Sequence, residues 1–309
     1  MRAVGISRPG GPEVLSVIER SVRAPRKNEV RLAVAAAAVN PTDIVVRLNG
    51  LEDQAPPWVP GMDLAGVVEA TGEGVDRLAV GDEVMAAVTP RRPEGGAQAE
   101  LVVAPVAAVV PIPVGTTVTQ ASTLPMNGLT AMLALKELEL ERGEALAVSG
   151  GAGLLASYAI PLAKLRGLAV VADAKPEDEM LVRSFGADLV LPRGEDFPAA
   201  VRGVAPDGVD GFLDTALLGQ QAFGAIRDGG KLAIVRRLKG LVPERGIKIR
   251  EVYVFDVLER TDWLAELRGL ATGGQFQLRV AGEYPPERAA DAHRAMEGGG
   301  LRGRALIVL

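Results

Sequence analysis

The segment Ala147-Val148-Ser149-Gly150-Gly151-Ala152-Gly153-Leu154-Leu155-Ala156 constrains the fold more than any other stretch of this chain. It runs from a short apolar strand pattern, through small residues, into the apolar helical stretch Leu154 to Leu165. A strand that enters a helix through such a turn lets backbone amides approach a pyrophosphate with no side chain in the way. The positive end of the helix dipole then faces the phosphates. Read as G-x-x-G-x-x-A from Gly150 through Gly153 to Ala156, the spacing also allows close helix–sheet packing. A tight turn without a ligand uses the same residue types, so the surroundings must decide between the two readings.

Those surroundings alternate apolar runs with helical segments, the pattern of βαβ units around a parallel sheet. Strands are expected at Ala145 to Val148, Ala169 to Ala172, Leu189 to Leu191, Gly211 to Asp214 and Lys231 to Val235. Crossover helices are expected at Leu154 to Leu165, Glu177 to Phe185 and Gln220 to Asp228. Pro161 falls inside the first of these, where it removes a backbone donor, so a kink or register shift is expected there. The first third is different. Short β-type runs, Val30 to Ala38, Gly66 to Ala70, Glu83 to Val88, Glu100 to Val103 and Ala107 to Pro111, are bounded by Gly and Pro clusters and suit a β-rich, barrel-like domain. From about Asp256 a helix (Trp263 to Ala271), an extended run (Gln277 to Ala281), a helix (Glu287 to Met296) and a strand (Arg304 to Leu309) form a tail able to rejoin the first domain. The fold class is therefore α/β, with a β-rich domain over 1–117 completed by 256–309, and a doubly wound domain over 118–255.

Composition removes several classes of chemistry. The 309 residues include no cysteine and one histidine, which excludes disulfides, thiolate catalysis and thiolate metal sites and leaves little for a histidine-based metal centre. No metal ligand set is assigned. A formal net charge of -5 on mixed segments offers no basic face for nucleic acid or anionic lipid. No apolar run reaches the roughly 18 residues of a membrane span, and the opening segment lacks a signal-like apolar core, so a cytoplasmic location is expected.

The second expected strand of the α/β region leads to Asp173, placed to accept hydrogen bonds from the adenosine ribose hydroxyls of NAD(H). Lys175 and Arg193 stand nearby as cationic partners for the 2′-phosphate of NADP(H), so the choice between NADP(H) and NAD(H) stays open. The cofactor-binding set is Ser149, Gly150, Gly151, Gly153, Leu154, Leu155, Asp173, Lys175, Arg193 and, at the end of the last expected strand of the region, Val235.

Over nearly its whole length the chain resembles the zinc-independent, quinone-oxidoreductase branch of the medium-chain dehydrogenases/reductases. The resemblance rests on Met1-Arg2-Ala3-Val4, Val39-Asn40-Pro41-Thr42-Asp43, Val59-Pro60-Gly61-Met62-Asp63-Leu64-Ala65-Gly66, Gly81-Asp82-Glu83-Val84 and Leu124-Pro125-Met126-Asn127-Gly128-Leu129-Thr130-Ala131. The glycine turn, Phe185-Gly186-Ala187-Asp188, Ala292-His293 and Gly303-Arg304 extend it. It implies a GroES-like catalytic domain from both ends of the chain, a Rossmann domain between them and an active-site cleft where they meet. It also implies that Asn40 and Thr130 line the nicotinamide side, a reading favoured over the alternative in which Asn40 and Asp43 simply close a turn. Relatives are commonly homodimers, and Glu251 to Val257 can supply an edge strand. His293 is expected in a structural or surface role on a late helix, and Asp63 as a buried, hydrogen-bonded carboxylate.

Hydride transfer is chemistry that the cofactor carries, and the protein must align it with an acceptor and exclude water. The enoyl-thioester reductases of this family tend to carry a Tyr after the N-P-x-D segment, whereas Ile44 to Val59 contains none. The expected reaction is thus NAD(P)H-dependent reduction of a small electron acceptor, a quinone or activated enone, without a metal. The alternatives are a specialised biosynthetic enoyl or alkene reductase and a nucleotide-binding protein without turnover.

Overall fold

The computed structural model describes residues 1–309. It divides into two units, Met1–Met126 with Leu258–Leu309, and Asn127–Val257. The change of architecture expected after Thr117 therefore comes after Met126. The intervening helix packs on strands of the first unit, because a run such as Ala121 to Leu124 is fully buried there and has no role in the parallel sheet.

The first unit is built from β1 (Arg2–Ile6), β2 (Leu15–Glu19), β3 (Glu29–Ala38), α1 (Pro41–Asn49), β4 (Asp63–Thr71), β5 (Glu83–Ala87), β6 (Leu101–Pro105), β7 (Val109–Pro111) and α2 (Val118–Ala121). β3 is its axis and shows why the sequence makes a half-buried strand: Val30, Leu32, Val34 and Ala36 are buried, and the residues between them are only partly so. On the solvent side Arg31 pairs with Glu69 of β4. β3 pairs antiparallel with β4 and with β6, and β4, β5 and β7 continue the sheet. Val30, Leu32, Leu64, Val68, Val84, Val102 and Val109 meet in one core. β1 and β2 form a hairpin of their own. α1 interrupts the β pattern in a region where no helix was expected.

The second unit takes α3 (Pro125–Leu138) from Asn127 onward, then β8 (Ala145–Ser149), α4 (Leu154–Leu165), β9 (Ala169–Ala174), α5 (Glu179–Ser184), β10 (Leu189–Pro192), α6 (Phe197–Val204), β11 (Val209–Asp214), β12 (Ile226–Ile234) and β13 (Lys248–Glu251). Its six-stranded sheet runs β10-β9-β8-β11-β12-β13 and is parallel throughout. Continuous apolar runs such as Leu146 to Val148 and Phe212 to Leu213 are fully buried, as strands covered on both faces must be. The order reverses direction between β8 and β11, a switch point at the carboxyl edge.

Two expectations are corrected here. The crossover helix at Gln220 to Asp228 is a 3-10 segment, Gly219–Ala225, and β12 already begins at Ile226. Gly219 and Gly224 weaken an α-helix there, and the segment is too short to need one. The edge strand is Lys248–Glu251, while Val254–Val257 forms a 3-10 turn. Pro161 lies inside α4, which runs from Leu154 to Leu165.

The chain returns to the first unit through α7 (Thr261–Thr272), β14 (Val280–Tyr284), α8 (Ala289–Glu297) and β15 (Arg304–Val308). β15 pairs antiparallel with β3 and parallel with β14, so the tail adds two strands to the first sheet. No helix is long and apolar enough to cross a membrane.

Candidate active site

The glycine turn lies at the carboxyl end of β8, beside the switch point. Ser149 Oγ donates to Asp214 Oδ1 at 2.8 Å and accepts from the backbone N–H groups of Thr215 and Ala216, each at 3.1 Å. Thr215 Oγ1 donates to the Ser149 carbonyl at 2.6 Å. Asp214 is fully buried and accepts the N–H groups of Leu218 at 3.1 Å and Gly219 at 2.8 Å. These bonds lace the ends of β8 and β11 together. Ser149 belonged to the expected set; Asp214, Thr215 and Ala216 did not, although an acidic residue closing an apolar strand run was a signal for them.

Glycine is required in the turn for two separate reasons. Gly150 has φ +71°, a left-handed conformation that side chains disfavour. Gly151 lies so close to β9 that a Cβ there would sit 2.4 Å from the Asp173 carbonyl oxygen. Gly153 is the N-cap of α4 and carries no side chain that would close off the helix end. Leu154 is buried and Leu155 half-buried in the first helical turn.

Asp173 stands at the end of β9 against the glycine turn. It is 3% exposed, and its Oδ1 accepts from the Gly151 N–H at 2.7 Å. Burial raises its pKa, against the hydrogen bonds of the turn and the charge of Arg193. The carboxylate is thus turned into the glycine turn and braces it. Lys175 and Arg193 remain exposed beyond the ends of β9 and β10, and the Arg193 N–H donates to the Ala174 carbonyl at 2.9 Å. Val235 is half-buried and directly follows β12 at the same edge.

In the first unit Asn40 caps α1, with Pro41 in the first helical turn. Its backbone N–H donates to Asp43 Oδ2 at 2.7 Å, and Asp43 Oδ1 accepts from the Gly61 N–H at 2.8 Å. The turn-closing reading of Asn40 and Asp43 is therefore realised. Asn40 Nδ2 donates to Asp63 Oδ2 at 2.7 Å and Asn40 Oδ1 accepts from Arg304 Nε at 2.8 Å. Asp63 also accepts from the Met126 N–H. Asn40, Asp43 and Asp63 are fully buried, and burial pushes both carboxyls up to about 7 despite these donors and the Arg304 guanidinium. Arg304 was absent from the expected set, because nothing in its local sequence points to a residue near the other end of the chain.

His293 is fully buried on α8, with Nδ1 3.5 Å from Arg47 Nη1, and Arg47 also donates to Glu297 and to the Gly10 carbonyl at 3.1 Å. Burial, and secondly the Arg47 charge, hold the imidazole down to about 3, so it is neutral near pH 7. Thr130 is in the second unit on α3, 6% exposed, three residues after Asn127 and on the same helix face.

The alcohol dehydrogenase GroES-like domain family matches residues 26–114, and the zinc-binding dehydrogenase family matches residues 185–307. An Arabidopsis thaliana protein named NADPH-dependent alkenal/one oxidoreductase is 32% identical over 99% of this chain and 79% of its own length. A rat quinone oxidoreductase is 27% identical over 100% of this chain and 98% of its own. A solved structure of an NAD-dependent alcohol dehydrogenase superposes with a TM-score of 0.87 at 29% identity, covering both chains completely. The chain belongs to the medium-chain dehydrogenase/reductase family, in the branch of the quinone and alkenal/one oxidoreductases.

Zinc, named in one family description, does not fit the donor set of this chain. There is no cysteine, the one histidine faces a guanidinium, and the buried Asp43 and Asp63 oxygens are taken by N–H donors. No three His, Cys, Asp or Glu side chains cluster as a metal site. A nicotinamide dinucleotide does fit. The turn at Gly150 to Gly153 is a cradle that side chains would fill or distort, at the start of a helix and at the switch point of a parallel sheet.

Proposed function

We propose that this protein is an NAD(P)H-dependent reductase of small electron acceptors, a quinone or an α,β-unsaturated carbonyl, working in the cytoplasm as a homodimer. The observation that carries the reading is the glycine turn at the carboxyl edge, held open by backbone geometry and braced by Asp173. Ser149 to Leu155 would hold the pyrophosphate, and Val235 would border the nicotinamide half. A bound nicotinamide supplies a hydride, with its electron pair, to an electron-poor carbon or oxygen of the acceptor.

The preferred cofactor is NADPH. What supports this is that the Asp173 carboxylate is turned toward the Gly151 amide, while Lys175 and Arg193 stand exposed beyond the ends of β9 and β10, two cations available to a 2′-phosphate.

The rest of the chemistry asks little of the chain. Thr130 and Asn40 position the reactants: Asn40 through its capping turn, which Arg304 and Asp63 hold fixed, and Thr130 from α3. His293 is neutral and buried and serves as packing rather than as a proton donor. Solvent protonates the reduced acceptor, which suits quinones and enones because their products are stabilised anions.

The test follows NADH and NADPH oxidation by absorbance, with a quinone, an enone and an enoyl thioester as acceptors. The reading expects turnover with the first two acceptors and a preference for NADPH that Lys175→Ala reduces. It also expects Thr130→Ala to lower kcat. Cofactor binding with no turnover on any acceptor would overturn it in favour of a nucleotide-binding protein.

A further inference from the structure

The loop from residue 235 to 247 joins β12 to β13 at the carboxyl edge of the parallel sheet. Strand register fixes where that is. Ser149 lies opposite Asp214, Asp214 opposite Ile234, and Ile234 opposite Glu251. At about 4.8 Å per strand, the loop emerges roughly 10 Å from the glycine turn, measured across the sheet. It also emerges on a definite side. A dinucleotide at a switch point lays its adenosine over the strands on one side and its nicotinamide over those on the other. In the proposed reading Lys175 and Arg193, beyond the ends of β9 and β10, meet the adenosine half, which leaves β11, β12 and β13 for the nicotinamide and whatever it reduces.

On that side the second unit carries a concavity of about 530 Å³, the size of a small-molecule site. Leu238, Leu241 and Ile249 give it an apolar wall, and Arg237 and Lys239 give it two cations. Both cations are exposed, and neither makes an ion pair. Its one carboxylate, Glu251, accepts a hydrogen bond from Tyr253 Oη, so the local balance is two positive charges against one negative. Unpaired cations over an apolar wall suit an anion with an apolar body, and the switch-point geometry distinguishes it from the cofactor, whose phosphates lie at the other end.

We infer that the acceptor carries a carboxylate, and that Arg237 and Lys239 bind it and thereby select acidic acceptors over neutral ones. This inference rests on the reductase reading above. The cations hold the carboxylate while the apolar wall takes the carbon skeleton, which sets the reducible bond toward the nicotinamide.

The test compares 4-oxopent-2-enoate with its methyl ester, two acceptors that differ in one charge. In each case the hydride of NADPH goes to C2, a solvent proton goes to C3, and NADP⁺ leaves with the saturated ketone. The intact protein is expected to show a kcat/KM for the acid at least about tenfold above that for the ester, the factor of a single charge-assisted hydrogen bond. That ratio should fall about tenfold in Arg237→Gln and further in Arg237→Gln/Lys239→Gln, mainly through KM. An unchanged ratio in folded variants overturns the inference and leaves the reductase reading intact. A calorimetric titration of the NADP⁺-saturated protein with 4-oxopentanoate covers the case in which neither acceptor is reduced. Binding that weakens in the double variant then supports the anion site without the reductase reading, and binding that is absent or unaltered overturns the site.

Discussion

Asn40 is tied into its own unit at three points: its backbone N–H to Asp43, its amide nitrogen to Asp63 and its amide oxygen to Arg304. Such a cluster is rigid, because each buried group that lost its partner would cost about 1–3 kcal/mol. Its two carboxyls have an ordinary value of 3.8 and rise to about 7 on burial. Between those limits the folded chain keeps protons that the unfolded chain has released. The stability this contributes is fully present below about pH 4 and is lost as pH rises through about 7. The melting temperature should therefore fall between pH 5 and pH 8 by more in the natural protein than in Asp63→Asn, where one titrating group is gone. Calorimetric scans at the two pH values check this, and equal slopes would refute the assignment. The sequence revealed the buried, bonded character of Asp63 and the turn at Asn40, since both follow from local residue types. Gly303-Arg304 stood out only as a family motif, and the contact of Arg304 with Asn40 was not legible, because it exists only once β15 pairs with β3.

At the scale of elements, the glycine turn makes the sharpest statement. Alanine at Gly151 would press a Cβ to 2.4 Å from the Asp173 carbonyl, so the turn and β9 must part. At Gly153 the nearest atom to such a Cβ is the Gly150 carbonyl oxygen, at 3.0 Å, and a shift of a few tenths of an ångström relieves it. Gly151→Ala should therefore weaken NADPH binding by about tenfold or more, as an overpacking cost of about 1–3 kcal/mol implies, and Gly153→Ala by less. Fluorescence titration with NADPH gives both affinities, and the reverse order would contradict the account. The buried strands of the parallel sheet were legible because they are continuous apolar runs between turn residues. β13, Lys-Ile-Arg-Glu, was not, because an edge strand need not be apolar and its pairing with β12 supplies the signal that its composition lacks. Gln220 to Asp228 read as a helix by position in the alternation. The glycines that make it a 3-10 turn were present in the sequence but outweighed there by the βαβ pattern.

For the whole molecule, both ends of the chain build the β-rich unit around β3, and one uninterrupted middle segment builds the parallel sheet. The sequence disclosed that division through the switch from period-two strands to βαβ units, but it could not fix the boundary, because α2 and the start of α3 are apolar enough to suit either unit. With no thiolate and a single histidine held by Arg47, the fold has no metal to lose. Exhaustive chelation should leave both the melting temperature and NADPH oxidation unaltered, and a loss restored by zinc would contradict the donor-set argument. The central claim is direct hydride transfer from a nicotinamide to an acceptor, and it is tested most directly by running the reaction with NADPH deuterated at C4 of the nicotinamide and an enone in ordinary water. The account predicts one deuterium on the carbon β to the carbonyl, a solvent proton on the α carbon, and loss of label from one face of the nicotinamide only. Oxidation of the cofactor with no deuterium in the product, or no oxidation at all, would contradict it.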